Sequence, residues 1–261
     1  MSKKIEAVIF DWAGTTVDYG CFAPVQAFVE IFKHFGIEPT MEEVRKPMGM
    51  LKRDHIRTML AMERIQNLWT EKYGKAPGEE EVDKLYALFQ EKLMSILHKF
   101  AQPKPYVLET IEELRSRGIK IGSTTGYTDS MMEIVVPKAK EAGYEPDAWF
   151  SPDAVGNMGR PYPFMVFQNM EVLKVGKVQQ VIKVGDTVSD ILEGKHAGVI
   201  SVGVVEGSSE MGLTQEEYES LSSEEKQAKS DKVKKIFLDA GADFVIQDMR
   251  GLVTLIDLLG E

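Results

Sequence analysis

Four times along this chain a short apolar run ends abruptly beside polar or acidic residues, and helical stretches separate the runs. The first is Ala7-Val8-Ile9-Phe10, stopped by Asp11-Trp12-Ala13-Gly14. An apolar, partly β-branched run broken by glycine reads as a buried strand. Ile119 to Ser123, Ala148-Trp149-Phe150 and Val181-Ile182-Lys183-Val184 read the same way, with further strands at Ser201 to Val204 and Phe244 to Ile246. Val107 to Arg117 (stopped by Gly118), Pro163 to Leu173, the stretch through His196 and the polar stretch Thr214 to Leu238 have helical character. Strands alternating with helices imply right-handed crossovers, so the expectation is an α/β protein on a parallel sheet.

From Phe22 to about Phe100 the alternation stops. Glu, Lys, Met and Leu recur there at helical spacing, the segment from Trp69 to Gly78 supplies a break, and no strand is evident. This segment reads as an insertion of several helices after the first strand. Ligands of parallel sheets sit beyond the carboxyl ends of the strands. Asp11 follows the first strand, Thr124-Thr125-Gly126 the second and Gly185-Asp186 the fourth, while Arg160 lies in a loop after the third.

The bulk numbers narrow the partners. A net charge of -10 over 261 residues opposes a broad footprint for nucleic acid or an anionic membrane. A local cationic site for an anionic substrate remains compatible with it. The single cysteine, Cys21, forbids an internal disulfide and a multi-cysteine zinc site. Neither a signal peptide nor a run of about 18 to 20 apolar residues is evident, and the expected setting is the cytoplasm.

At the strand ends the chemistry is suggestive only in combination. Asp11 alone could be a helix cap or turn residue. Asp186 and Asp190, four apart in Gly185-Asp186-Thr187-Val188-Ser189-Asp190, share a face if that segment is helical. Carboxylates gathered near a phosphate need a cation, and Mg²⁺, which favours oxygen ligands, is the expected cofactor. Thr125 can donate a hydroxyl to a phosphoryl oxygen and Arg160 can clamp one. Read singly, the first is also a turn hydroxyl and the second an exposed loop charge.

Together, Asp11-Trp12-Ala13-Gly14-Thr15, Thr125, Arg160 and the Gly185 to Asp190 segment resemble, in order and spacing, the four motifs of the haloacid dehalogenase superfamily. The resemblance spans nearly the whole chain. It implies a Rossmann-like, doubly wound parallel-sheet core (1–20 and 101–261) with a helical cap domain (21–100) inserted after the first strand. It also implies that Asp11 is the phosphoryl-accepting nucleophile. Mg²⁺ would be bound by Asp11, the Ala13 carbonyl and Asp186, with Asp190 supporting the site.

One departure is informative. Superfamily phosphatases usually carry a second aspartate two residues after the nucleophile, as general acid. Here that residue is Ala13, which cannot transfer a proton. The segment from Arg45 to His55 mixes cations with apolar residues. An ordinary lysine has a pKa of about 10.4, and burial or cationic neighbours would favour the neutral amine that attacks carbonyls. Any one lysine could equally be a solvated surface residue. An alanine paired with a cap lysine, here Lys52, is similar to the phosphonatase branch, in which an imine accepts the electrons of a broken P–C bond and no oxygen acid is needed. That resemblance implies phosphonoacetaldehyde as the small-molecule phosphonate substrate. It further implies that Met48, Gly49, His55 and Tyr127 line the site beside Gly126, with Cys21 near the lysine, and that the protein is a homodimer through its cap.

Two alternatives remain open to the sequence. One is a phosphate-ester phosphatase or phosphomutase of the same superfamily, against which Ala13 stands. The other is a non-catalytic phosphate-binding module, against which the complete set of Asp11, Thr125, Arg160 and Asp186 stands.

Overall fold

The structure is a computed structural model that describes residues 4–48 and 50–260. Six strands form one parallel sheet: β1 (Ala7–Phe10), β2 (Lys120–Thr124), β3 (Ala148–Phe150), β4 (Val181–Gly185), β5 (Ile200–Val204) and β6 (Phe244–Ile246). Their order across the sheet is β3-β2-β1-β4-β5-β6. The chain therefore winds outward from β1 in both directions, which makes the sheet doubly wound with its switch point beside β1. β1 and β4 are buried along their whole length, whereas β3 and β6 are the partly exposed edges.

Alternation along β1 divides the core. Val8 and Phe10 face a large cluster that continues into the helical insertion through Trp12, Phe28 and Phe89, while Ala7 and Ile9 face a smaller one with Val166, Val181 and Val199. Register then aligns the carboxyl ends. Phe10 pairs with Ser123 on one side and Val184 on the other, so Asp11 emerges level with Thr124 and Gly185.

The insertion after β1 holds α1 (Phe22–His34), α2 (Met41–Arg45), α3 (Lys52–Leu60), α4 (Glu63–Tyr73) and α5 (Glu79–Ile96), closed by a 3-10 turn at Leu97–Lys99. Helices α1 and α3 pack on α5. The break expected around Trp69 to Gly78 lies at Gly74 to Gly78. Trp69 itself is a buried residue of α4, which ends on Gly74 in the left-handed conformation.

The core adds α6 (Val107–Ser116), α7 (Asp129–Glu141), α8 (Phe164–Val172), α9 (Val188–Ala197), α10 (Gln215–Ser220), α11 (Ser223–Asp239) and α12 (Arg250–Gly260). Two of these, α7 and α12, are not evident in the sequence. A β-branched run and an internal Pro137 disguise α7, whose packing of Met131, Met132, Val135 and Ala139 outweighs its weak propensity. The polar stretch Thr214 to Leu238 is two helices, because a second capping box, Ser222 with Glu225, restarts the chain after Leu221. Among the described residues no helix is long and apolar enough to cross a membrane.

Candidate active site

The turn after β1 is wound around one carbonyl. The amides of Thr15, Thr16 and Val17 all donate to the Trp12 oxygen, at 3.1, 2.8 and 3.0 Å. Gly14 is in the left-handed region, with φ +88, and a Cβ added there would lie 2.1 Å from an oxygen of Asp186. Glycine is required at this position for both conformation and space. Lys104, from the segment that returns from the helical insertion, is buried and donates to the carbonyls of Gly14 (2.5 Å) and Glu206 (2.7 Å). Burial pulls its amine down to about 8.

Three buried carboxylates meet at the sheet edge. Oxygens of Asp11, Asp186 and Asp190 lie within 4.8 Å of one another. The Thr15 hydroxyl donates to Asp186 Oδ1 at 2.9 Å, and the Ser209 amide donates to Asp186 Oδ2 at 2.7 Å. Thr187 caps α9 and so sets Asp190 in its first turn. Asp190 has its counter-charges built in, with Lys183 at 2.7 Å and Arg160 at 3.0 Å. Although burial opposes its ionisation, those two cations outweigh it and hold its carboxyl below the usual range. Asp186 is in the opposite position: burial, then repulsion from Asp11 and Asp190, pushes its carboxyl well above the usual range. A cation between Asp11 and Asp186 would relieve that cost, and an all-oxygen donor set suits a hard metal ion.

Arg160 is the hub of the site. Its Nη2 donates to Asp11 (2.5 Å), the Thr124 carbonyl (2.9 Å) and the Thr124 hydroxyl (2.9 Å), and its Nε donates to Glu193 (3.1 Å). Burial works against the guanidinium charge, but Asp11, Asp190 and Glu193 overcome it and raise its pKa.

Opposite Asp11, the helical insertion delivers Lys52 as the first residue of α3. A narrow cleft is lined by Asp11, Ala13, Cys21, Met48, Lys52, Thr125, Gly126, Tyr127, Arg160 and Thr187. Among the described residues, Asp11 is the sole carboxylate on that lining. Lys52 is 7% exposed, and burial is the chief cause that lowers its amine pKa. Its Nζ lies 5.5 Å from the centre of the Tyr127 ring. A second, wider groove between α3, α5 and the Thr128 and Asp153 loops also has Lys52 and Gly126 on its wall. Lys52 thus lies between the Asp11 cleft and an outer groove.

Not every expected residue reaches the cleft. His55 is fully buried within the helical insertion, its ring stacked on Phe28 at 3.8 Å. Burial and the nearby Lys52 charge hold the imidazole well below its usual value. Cys21 lies on the cleft wall as a buried thiol whose pKa burial raises. The Thr125 hydroxyl accepts from the Tyr127 amide at 3.0 Å, which turns the chain back under the cleft. Gly49 lies outside the described residues.

Sequence reasoning named Thr15 and Thr124 within their motifs without giving either a role, and missed Lys104, Lys183, Glu193 and the Ser209 amide. One of these carried a signal: a lysine in the middle of a buried strand, Lys183, demands a buried acid, and Asp190 and Glu193 follow within ten residues.

Comparison with known proteins agrees with this geometry. Residues 5–198 match the family model described as haloacid dehalogenase-like hydrolase. The chain is 52% identical over 258 residues to a protein of Lysinibacillus sphaericus named phosphonoacetaldehyde hydrolase, covering 99% of this chain and 96% of that one. It is 56% identical over 250 residues to a Clostridioides difficile protein named bifunctional phosphonoacetaldehyde hydrolase/aminoethylphosphonate transaminase; the match covers 96% of this chain but 39% of that longer protein. A crystal structure of a phosphonoacetaldehyde hydrolase-like protein from Oleispira antarctica superposes with a TM-score of 0.95 at 41% identity, covering 99% of this chain and 94% of that one.

Proposed function

This chain belongs to the haloacid dehalogenase-like hydrolases, and we propose that within them it hydrolyses the P–C bond of phosphonoacetaldehyde, giving acetaldehyde and inorganic phosphate. The observation that carries this reading is the shared cleft of Asp11 and Lys52, with Ala13 where an ester phosphatase keeps its acid. Relatives named for this activity share about half of the sequence, 52% and 51%, over 99% and 98% of the chain.

The roles follow from what each group can do. The neutral Lys52 amine adds to the aldehyde carbon, and loss of water leaves an iminium. Asp11 attacks phosphorus in line while Arg160 and the Thr125 hydroxyl hold phosphoryl oxygens. Electrons of the breaking P–C bond pass into the iminium, which becomes an enamine, and Asp11 becomes an aspartyl phosphate. Protonation at carbon regenerates the iminium, water releases acetaldehyde and restores the Lys52 amine, and a second water cleaves the aspartyl phosphate. Mg²⁺ held by Asp11, the Ala13 carbonyl and Asp186, with Asp190 in support, would neutralise charge between the carboxylate and the phosphonate. Met48, Tyr127, Gly126 and Cys21 shape the wall around the amine, while His55 supports it from within the insertion.

Two features of the setting belong to the same proposal. Residues 21–100 act as a cap over a core of 1–20 and 101–261, and two copies associate through that cap. Phe28, Ile31, Met59 and Leu60 fill the insertion's own interior, which leaves Met41, 53% exposed, as an apolar contact for the partner. The proposed compartment is the cytoplasm, where a lone thiol such as Cys21 stays reduced.

The direct assay follows release of acetaldehyde and phosphate from phosphonoacetaldehyde. One of each per turnover, lost with a chelator and restored by Mg²⁺, is the expected result. Rapid hydrolysis of phosphate esters with no attack on the phosphonate would overturn the reading.

A further inference from the structure

The insertion touches the metal-ligand side of the site through Arg45, the last residue of α2 and seven positions before Lys52. Its Nη1 crosses to the core and donates to the carbonyls of Gly20, at 2.9 Å, and Ser209, at 3.1 Å. The amide of that same Ser209 donates to Asp186 Oδ2 at 2.7 Å. The loop is shaped for this contact. Gly212 has φ +66, and a Cβ there would stand 3.0 Å from Arg45 Nε. On the insertion side the guanidinium lies over the Phe22 ring, 4.8 Å from its centre.

We propose that Arg45 is a positioning residue that couples seating of the cap to the orientation of the Asp186 carboxylate. The inference rests on the proposed reading only in assuming that Asp11 and Asp186 take a divalent cation. With the cap seated, Arg45 fixes the Ser209 backbone, whose amide occupies Oδ2 while Thr15 occupies Oδ1. The remaining lone pairs of Asp186 then have one orientation, a condition for tight ligation. With the cap lifted, Arg45 leaves and Ser209 is free to drift. Because coupling is reciprocal, a cation that favours the ordered Asp186 also favours the seated cap. The same closure brings Lys52 over Asp11, so amine delivery and metal-site ordering happen together.

The test uses Mn²⁺ alone on the whole protein, without substrate. Free Mn²⁺ is measured by electron paramagnetic resonance, and amide hydrogen exchange of residues 46–52 is followed with and without the ion. Arg45→Gln is expected to weaken Mn²⁺ binding roughly 10- to 100-fold and to abolish the Mn²⁺-dependent slowing of exchange that wild type shows. Unchanged affinity overturns the proposal. So does weakened affinity with the Mn²⁺-dependent slowing intact, because Arg45 would then act on the fold rather than on the coupling. If Arg45→Gln does not fold, Arg45→Lys, which keeps the charge but whose shorter side chain ends one atom before the Nη1 position that meets both carbonyls, is judged by the same two outcomes. Wild type that binds Mn²⁺ without cleaving phosphonoacetaldehyde would sink the hydrolase reading and leave this inference standing.

Discussion

Arg160 Nη2 donates to Asp11 Oδ1 at 2.5 Å, which fixes the proposed nucleophile against a buried cation. The same guanidinium meets Asp190 and Glu193, so one side chain balances three carboxylates that are at most 7% exposed. A planar fork can serve all of them, and a lysine ammonium cannot. Arg160→Lys is therefore expected to lower kcat for phosphonoacetaldehyde by at least about 10²-fold. Arg160→Met, which takes the cation from Asp11 and leaves Asp190 and Glu193 with Lys183 alone, is expected to cost about 3–5 kcal/mol in urea unfolding. Full activity in Arg160→Lys would contradict this account of the hub.

Gly14→Ala places a methyl group where Asp186 already stands, at a φ that alanine rarely adopts. The expected result is loss of Mn²⁺ binding and of activity, measured together, with the protein still folded because β1 itself, Ala7–Phe10, is untouched. A variant of normal metal affinity would show that the turn tolerates what its geometry forbids.

Lys104 tests whether the turn needs its brace. Removing the ammonium from Gly14 and Glu206 by Lys104→Met leaves two carbonyls without that donor, at a cost of about 1–3 kcal/mol. A drop in kcat of roughly tenfold should accompany it, since 1.4 kcal/mol of misalignment corresponds to that factor. Unaltered kcat would confine Lys104 to stability.

The Lys52 amine supplies the pH dependence. Burial lowers its folded-state pKa below the ordinary 10.5, so in that interval the unfolded chain binds more protons than the folded one. The stability contribution of this group is thus unfavourable below the folded pKa and recovers as pH rises towards the unfolded value. Relative to Lys52→Met, wild type should gain stability with rising pH across that interval, as urea unfolding would show. The rate of imine formation with acetaldehyde should rise with pH and level off below 10.5. A plateau at or above that value would mean an ordinary solvated lysine.

The sheet was legible because its central strands are short, apolar and stopped by glycine or aspartate, and because helices separate them. Asp11, Thr125 and Asp186 could be placed at strand ends, but their common level needed the register of Phe10 with Ser123 and Val184. What escaped was contributed by backbone or by distance in sequence. The Ser209 amide leaves no mark in residue identity, and Lys104 lies 90 residues from the Gly14 it holds. Glu193 looks like an ordinary helix residue until folding buries it against Arg160 and Lys183. Helix α7 was hidden by Pro137 and its β-branched neighbours, which tertiary packing overrides. His55, three residues after Lys52, shares its face of α3 but lies about one turn further along the helix, where that face packs on Phe28 inside the insertion.

Borohydride reduction in the presence of phosphonoacetaldehyde, followed by peptide mapping, asks whether the amine above Asp11 forms the covalent link on which P–C cleavage depends. A stable two-carbon adduct on Lys52 is expected, together with inactivity of Lys52→Arg. No adduct on Lys52, with full turnover in Lys52→Arg, would contradict the account.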